Sequence, residues 1–161
     1  MIRGVGTDVV SIPRIEQALG RFGDRFVQRI LTPEERLRFE RTGERVRASH
    51  LAKRFAAKEA FAKALGTGIR APFRWHSITV GRDAHGKPGL VPSPEMATHL
   101  ASMGVTHSHV SLTDDAGVAV AFVVLEGADP DSDFRRMERE GAPRATGDVS
   151  DGHATPKRPQ R

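Results

Sequence analysis

One stretch decides how this sequence folds: Arg54-Phe55-Ala56-Ala57-Lys58-Glu59-Ala60-Phe61-Ala62-Lys63-Ala64-Leu65-Gly66-Thr67-Gly68. Its alanine-rich interior favours a helix, and Gly66 is typical of a helix C-terminus, so we predict a helix from Ser49 to Leu65. The predicted packing positions are Leu51, Phe55, Phe61, Ala62 and Leu65. The small side chains between them would let a neighbouring backbone or a ligand come close.

The N-terminal segment supplies a second element beside this helix. Residues 2–10 alternate loosely in polarity and predict a buried strand with Asp8 near its end. Gly4-Val5-Gly6 lacks the third glycine of a dinucleotide-binding fingerprint. We therefore interpret these glycines as positions where another backbone approaches the strand.

Asp8 and Glu59 are candidate ligands of a metal ion. Magnesium takes one or two carboxylates and completes its octahedron with water and phosphate oxygens. Lys63 follows Glu59 by one helical turn and would place a cation beside such a site. Two ordinary interpretations stay open: Glu59 and Lys63 could form a surface ion pair, and Asp8 could cap the following turn.

The remaining pattern predicts an α+β fold, an antiparallel-type sheet packed with helices. Thr32 and Glu35 form a predicted capping box, and Gly86 marks the turn of a β-hairpin. A closing hairpin ends in a strand, Val118 to Leu125, that is apolar on both faces and should be central. Further helices are predicted at Arg14–Gly20, after Gly23, from Thr32 to near Gly43 and at Pro94–Met103.

Composition limits the classes of protein that fit. The 161 residues include no cysteine, which excludes disulfides, zinc-thiolate sites and cysteine nucleophiles. Lacking a signal-peptide pattern or a long apolar stretch, the protein is predicted to be soluble and cytoplasmic, with no membrane partner. We predict one domain, residues 1–126, and a disordered tail, residues 127–161, which has few large apolar residues.

Positive charge is concentrated in one segment. Residues 12–54 hold eleven basic and six acidic side chains, whereas residues 127–161 hold seven of each. Such a segment favours an acidic partner, although a solvated helix surface would look the same. His107 and His109 lie on one strand face, but two histidines without a third ligand make a weak zinc site, and we exclude zinc. Phosphate-loop, HExxH and GxSxG motifs are absent from the sequence.

Four segments in order carry a resemblance to a known family. They are Gly4-Val5-Gly6-Thr7-Asp8-Val9-Val10 with Arg14-Ile15, the stretch from Arg54 to Gly68, Gly86-Lys87-Pro88, and His109-Val110-Ser111-Leu112-Thr113-Asp114. Together they resemble bacterial holo-acyl-carrier-protein synthases, and the resemblance runs from Ile2 to about Glu126. Asp114 stands where some members have histidine, and Ser11 replaces a common acidic residue.

The resemblance implies a 4′-phosphopantetheinyl transferase fold and a homotrimer that binds coenzyme A between neighbouring subunits. It implies that Asp8 and Glu59 hold Mg²⁺, that Lys63 neutralises phosphate and that Arg54 lies near the 3′-phosphate. The residues implied to line the nucleotide or flank its cleft are Gly66, Thr67, Gly68, Gly86, Lys87, Pro88, His109 and Ser111. Those implied to bind the acidic carrier protein are Arg14, Arg21 and Arg25.

The implied reaction is the attack of a carrier serine on coenzyme A, with 3′,5′-ADP leaving. A metal-bound water is the first candidate for the proton acceptor, followed by Glu59 or His109. The main rival prediction is a small basic nucleic-acid-binding protein, but the chain has no tyrosine and one tryptophan for base stacking. A third, a non-catalytic interaction module, is disfavoured because Asp8, Glu59 and Lys63 are all present.

Overall fold

Five strands and five helices lie along residues 1–128, the part of the chain that the computed structural model describes. In order they are β1 (Ile2–Ser11), α1 (Ile12–Phe22), α2 (Asp24–Ile30), α3 (Pro33–Glu40), α4 (Glu44–Leu65), β2 (Ile78–Arg82), β3 (Pro88–Pro92), α5 (Pro94–Ser102), β4 (Val105–Asp115) and β5 (Val118–Gly127). Within these residues no helix is both long and apolar enough to cross a membrane. Strand β5 ends one residue past the predicted domain boundary, and the predicted tail otherwise lies outside the described residues.

The main sheet has three antiparallel strands in the order β1-β5-β4. The central position of β5 confirms the prediction made from its apolar faces. Ala119, Ala121, Val123 and Leu125 point to the core and have no exposed surface. Strands β2 and β3 form the predicted hairpin as a separate two-stranded sheet, with Gly86 at a positive φ of 84° in its turn.

Helix α4 lies directly on strand β1 because both surfaces are built from very small residues. A Cβ atom at Gly6 would overlap the carbonyl oxygen of Ala60, and one at Gly4 would overlap that of Ala64. The predicted close approach of a second backbone to these glycines is thus confirmed. It brings the α4 residues next to the C-terminal half of β1, where Asp8 is located.

The start of α4 differs from the prediction. The helix begins at Glu44 after Gly43, five residues before the predicted start at Ser49. Serine is a common N-cap, but the Ser49 hydroxyl instead donates a hydrogen bond to Asp114 on β4. The capping box at Thr32 and Glu35 is confirmed, with both reciprocal bonds present.

The face of the main sheet opposite α4 carries exposed apolar side chains. Val5 and Val9 on β1 are 50% and 62% exposed, and Phe122 on β5 is 45% exposed. His109 pairs with Val124 and Ser111 with Phe122 across β4 and β5, so both alternate with the core positions and belong to this face. We refer to it as the free sheet face.

Candidate active site

Asp8, Glu59 and Lys63 line one cleft, together with Arg14 and Phe55. We call it the carboxylate cleft. Asp8 comes from β1, whereas Glu59 and Lys63 come from adjacent turns of α4. The glycine–alanine contact between the two elements is what brings the three side chains together.

Lys63 binds the strand and not its helical neighbour. Its Nζ atom donates to Asp8 Oδ1 and to the carbonyl oxygen of Thr7, each at 2.9 Å. The surface ion pair between Glu59 and Lys63 that the sequence left open is therefore not the arrangement found. Asp8 is not a helix cap either, because the Ser11 hydroxyl accepts the capping bond at the start of α1.

Glu59 has an unusual environment for a carboxylate. Its partial burial raises its pKa, the negative charge of Asp8 raises it further, and Lys63 counteracts both. Across residues 1–128, no group of three or more His, Cys, Asp and Glu side chains could hold a metal ion. Two carboxylate donors without a third protein ligand fit Mg²⁺, which leaves most of its coordination to water and phosphate.

An apolar cleft adjoins the carboxylate cleft. Its lining is Phe22, Arg25, Phe26, Arg29, Ile30, Phe55 and Trp75. Phe26 and Phe55 line both clefts, so the two are neighbours. The Phe55 and Trp75 rings pack with centroids 4.8 Å apart. This cleft was not predicted from the sequence, in which only the spacing of Phe22, Phe26 and Phe55 indicates it.

The three predicted carrier-binding arginines lie around these clefts, and all three are exposed. Arg14 lines the carboxylate cleft and Arg25 lines the apolar cleft. The Arg21 guanidinium stacks over the Phe22 ring at 5.0 Å. Exposed positive charge thus lies next to the apolar cleft.

Arg54 lies in a third site, which we call the basic pocket. Its charged lining residues are Arg38, Lys53, Arg54, Arg82 and Asp114, with His50 beside them. Arg54 is only 6% exposed, and its Nε atom has no hydrogen-bond partner among the described residues. His50 and Lys53 were not predicted as site residues from the sequence, although their spacing before Arg54 places all three on one helical face.

The predicted nucleotide-binding residues are not all gathered in the carboxylate cleft of one chain. Arg54 and Glu59 are five residues apart on α4, which puts them about 140° apart around the helix axis. The residues Gly66, Thr67 and Gly68 follow the end of α4, and Gly86, Lys87 and Pro88 form the turn of the β2–β3 hairpin. His109 lies on the free sheet face, where its Nε2 atom is 2.9 Å from Glu126 Oε2.

Known proteins resemble this chain over most of its described length. A model of the 4′-phosphopantetheinyl transferase superfamily matches residues 4–123, and the chain belongs to that superfamily. It is 52% identical over 126 residues to a holo-[acyl-carrier-protein] synthase of Thiobacillus denitrificans, covering 78% of this chain and 95% of that protein. A Neisseria meningitidis relative of the same name is 47% identical over 126 residues, covering 78% of this chain and 99% of that protein.

Solved structures of the same type share the fold. The crystal structure of the Neisseria meningitidis synthase aligns with a TM-score of 0.74 at 47% identity, covering 78% of this chain and 99% of that one. A Bacillus anthracis synthase in complex with CoA (3′,5′-ADP) aligns with a TM-score of 0.68 at 38% identity, covering 80% and 99%. The predicted α+β class and the predicted family are confirmed.

Proposed function

We propose that this protein is a holo-acyl-carrier-protein synthase, which transfers 4′-phosphopantetheine from coenzyme A to a serine of apo acyl carrier protein and so serves fatty acid biosynthesis. The observation that carries the proposal is the grouping of Asp8, Glu59 and Lys63 in one cleft of a superfamily member. In the transfer, a bond forms between the serine oxygen and the pantetheine-side phosphorus. The bond from that phosphorus to the oxygen bridging it to 3′,5′-ADP breaks.

The chain's own residues would bind and orient the pyrophosphate. Lys63 pairs with Asp8 in the cleft wall and is half exposed. Its ammonium group can therefore also contact phosphate oxygens of a bound ligand. Asp8 and Glu59 would hold Mg²⁺, which when bound neutralises charge on the pyrophosphate. Among the chain's own side chains, Glu59 is a candidate to accept the serine proton, because burial and the charge of Asp8 raise its pKa.

The surface around the clefts suits an acidic carrier protein. Arg14, Arg21 and Arg25 supply exposed positive charge next to the apolar cleft, in which an apolar side chain of the partner could lie. Replacing the three arginines by glutamate should raise the KM for the carrier about tenfold or more and leave the KM for coenzyme A nearly unchanged. Tight DNA binding without carrier binding in the same buffer would favour a nucleic-acid-binding protein instead.

We further propose that the protein acts as a homotrimer with coenzyme A bound between subunits. Two observations support an assembly: the free sheet face exposes the apolar side chains of β1 and β5, and Arg54 and Glu59 are on different sides of α4. A nucleotide that reaches both the carboxylate cleft and a basic pocket would therefore bridge two copies. His109 and Ser111 would reach a neighbouring copy from the free sheet face. We also expect the protein to be located in the cytoplasm.

The decisive experiment is incubation with coenzyme A, Mg²⁺ and an apo acyl carrier protein, followed by mass spectrometry of the carrier. The carrier should gain about 340 Da, the mass of the phosphopantetheine group. A carrier whose acceptor serine is replaced by alanine is the matched control and should gain nothing. An unchanged carrier mass in the presence of Mg²⁺ would contradict the proposed function.

A further inference from the structure

The basic pocket contains one carboxylate among its cationic lining residues. Asp114, at the end of β4, lines the pocket beside Lys53 and Arg54. Lys53 Nζ donates to Asp114 Oδ1 at 2.6 Å, and the Ser49 hydroxyl donates to Asp114 Oδ2 at 2.6 Å. Both carboxylate oxygens are thus held by side chains from the first half of α4.

The surroundings of Asp114 are strongly positive. Burial, followed by the charges of Arg54, Lys53, Arg82 and Arg38, lowers the pKa of His50 to about 4. Four cations therefore act on one ring, and His50 itself is neutral at pH 7. The hydrogen bonds from Lys53 and then Ser49 lower the pKa of Asp114, so that it is ionised at the same pH.

Four cationic side chains against one carboxylate leave the pocket suited to an anion. Arg54 adds a buried donor, Nε, that has no hydrogen-bond partner within residues 1–128. Lys53 differs from the arginines because its charge is already neutralised by Asp114 within the chain. An incoming phosphate must share Lys53 with Asp114 or displace Asp114 from Lys53. In either case the Asp114 carboxylate repels the phosphate.

We propose that Asp114 is a built-in counter-ion that limits how tightly the basic pocket holds the 3′-phosphate of coenzyme A and of the product 3′,5′-ADP. The inference rests on the proposed function, which puts that phosphate in the pocket. Its consequence is faster release of 3′,5′-ADP, since weaker binding of a shared group lowers the affinity for product as well as substrate. Asp114 then weakens the binding of coenzyme A and speeds the release of 3′,5′-ADP.

The test is the affinity of the full chain for 3′,5′-ADP in the Asp114→Asn variant, measured by calorimetry at low ionic strength. Asparagine keeps the shape and can still accept the Ser49 hydrogen bond while removing the charge. Removing one negative charge near a dianion should tighten binding about tenfold, and added salt should shrink the difference. Dephospho-coenzyme A, which lacks the 3′-phosphate, should bind both proteins equally.

Asp115→Asn is the matched control, because Asp115 is the next acidic residue along the strand, is exposed and does not line the pocket. It should leave the affinity for 3′,5′-ADP within about twofold, with melting curves confirming that both variants are folded. Equal tightening in the two variants, or unchanged or weaker binding in Asp114→Asn, would overturn the inference. If the parent protein did not bind 3′,5′-ADP at all, the proposed function itself would fail.

Discussion

Two lysines of helix α4 form ion pairs with the same chemistry in opposite surroundings. Lys58 pairs with Glu35 at 2.6 Å, and neither side chain has any exposed surface. Lys63 pairs with Asp8 at 2.9 Å, with the lysine side chain 51% and the aspartate side chain 14% exposed. The first pair lies inside the fold, whereas the second lies in the carboxylate cleft.

The buried pair is part of a fully satisfied network. Lys58 Nζ also donates to the carbonyl oxygens of Ile30 and Trp75, at 2.6 and 2.8 Å. Glu35 accepts from the backbone N–H groups of Thr32 and Val80, both at 2.8 Å. The network joins α4 to the start of α3, to β2 and to the segment that carries Trp75.

Burial decides whether a lysine–carboxylate pair stabilises the fold or can bind a ligand. A buried pair with every hydrogen bond made fixes the structure, and loss of one partner leaves an uncompensated charge. A pair whose lysine is half exposed contributes less to stability, and that lysine can exchange its partner for a ligand phosphate. The two lysines are five residues apart on one helix, so the helix supports the fold at one position and lines the cleft at the other.

The largest expected effect is on catalysis at the exposed pair. Asp8→Asn keeps the volume of the side chain but removes a charged oxygen ligand, so turnover should fall about 100-fold or more. The melting temperature should change little because Asp8 is not part of the buried network. Turnover is measured by phosphopantetheine transfer at saturating Mg²⁺, and a near-normal rate would remove Asp8 from the site.

The next effect is on stability at the buried pair. Lys58→Met should lower the free energy of unfolding by about 3–5 kcal/mol, because it leaves Glu35 buried and charged without its ion-pair partner. Lys63→Met should cost less than about 1 kcal/mol. Both values come from urea unfolding followed by circular dichroism.

The double variant Lys58→Met with Glu35→Met is the control for this stability prediction. It removes both charges and should recover part of the loss. Equal losses of stability for Lys58→Met and Lys63→Met would contradict the division of roles between the two pairs.

Part of the fold and part of the candidate site could be predicted from the sequence alone. The central strand β5, the capping box at Thr32 and the close approach of another backbone to Gly4 and Gly6 follow from local patterns, and the structure confirms them. The family motifs predicted Asp8, Glu59 and Lys63 as a group. Their common cleft is found, although their roles in metal and phosphate binding stay predictions.

The sequence could not distinguish the two lysines, because their surroundings come from distant elements. Lys58 is buried by Ile30, Glu35 and Trp75, which are 17 to 28 residues away along the chain. The start of α4 was predicted wrongly for a similar reason: the Ser49 hydroxyl binds Asp114, 65 residues away, and caps no helix. Tertiary partners decided both cases.

A moderate effect is expected on the pH dependence of activity. Burial and Asp8 raise the pKa of Glu59, and Lys63 lowers it, so removing Lys63 should raise it further. The carboxylates must be ionised to act, so the acid limb of kcat/KM should lie above the usual glutamate range and move to higher pH in Lys63→Met. Lys53→Met, which changes the basic pocket, is the control and should leave the position of the limb unchanged. An acid limb that Lys63→Met does not shift would contradict the coupling.

The smallest effect is a gain in stability at the cleft itself. Because burial and Asp8 raise the folded-state pKa of Glu59 above its unfolded value, ionised Glu59 destabilises the fold at pH 7. This cost is absent below the unfolded pKa and develops as the pH rises through the folded one. Glu59→Gln should therefore raise the melting temperature by about 1–2 °C at pH 7, and the difference should vanish near pH 4. Glu35→Gln should do the opposite at pH 7, since the Glu35 charge has a buried partner in Lys58. A lower melting temperature of Glu59→Gln at pH 7 would mean that Glu59 stabilises the fold as Glu35 does. It would contradict the division between Glu35, a structural carboxylate of α3, and Glu59, a functional carboxylate of α4.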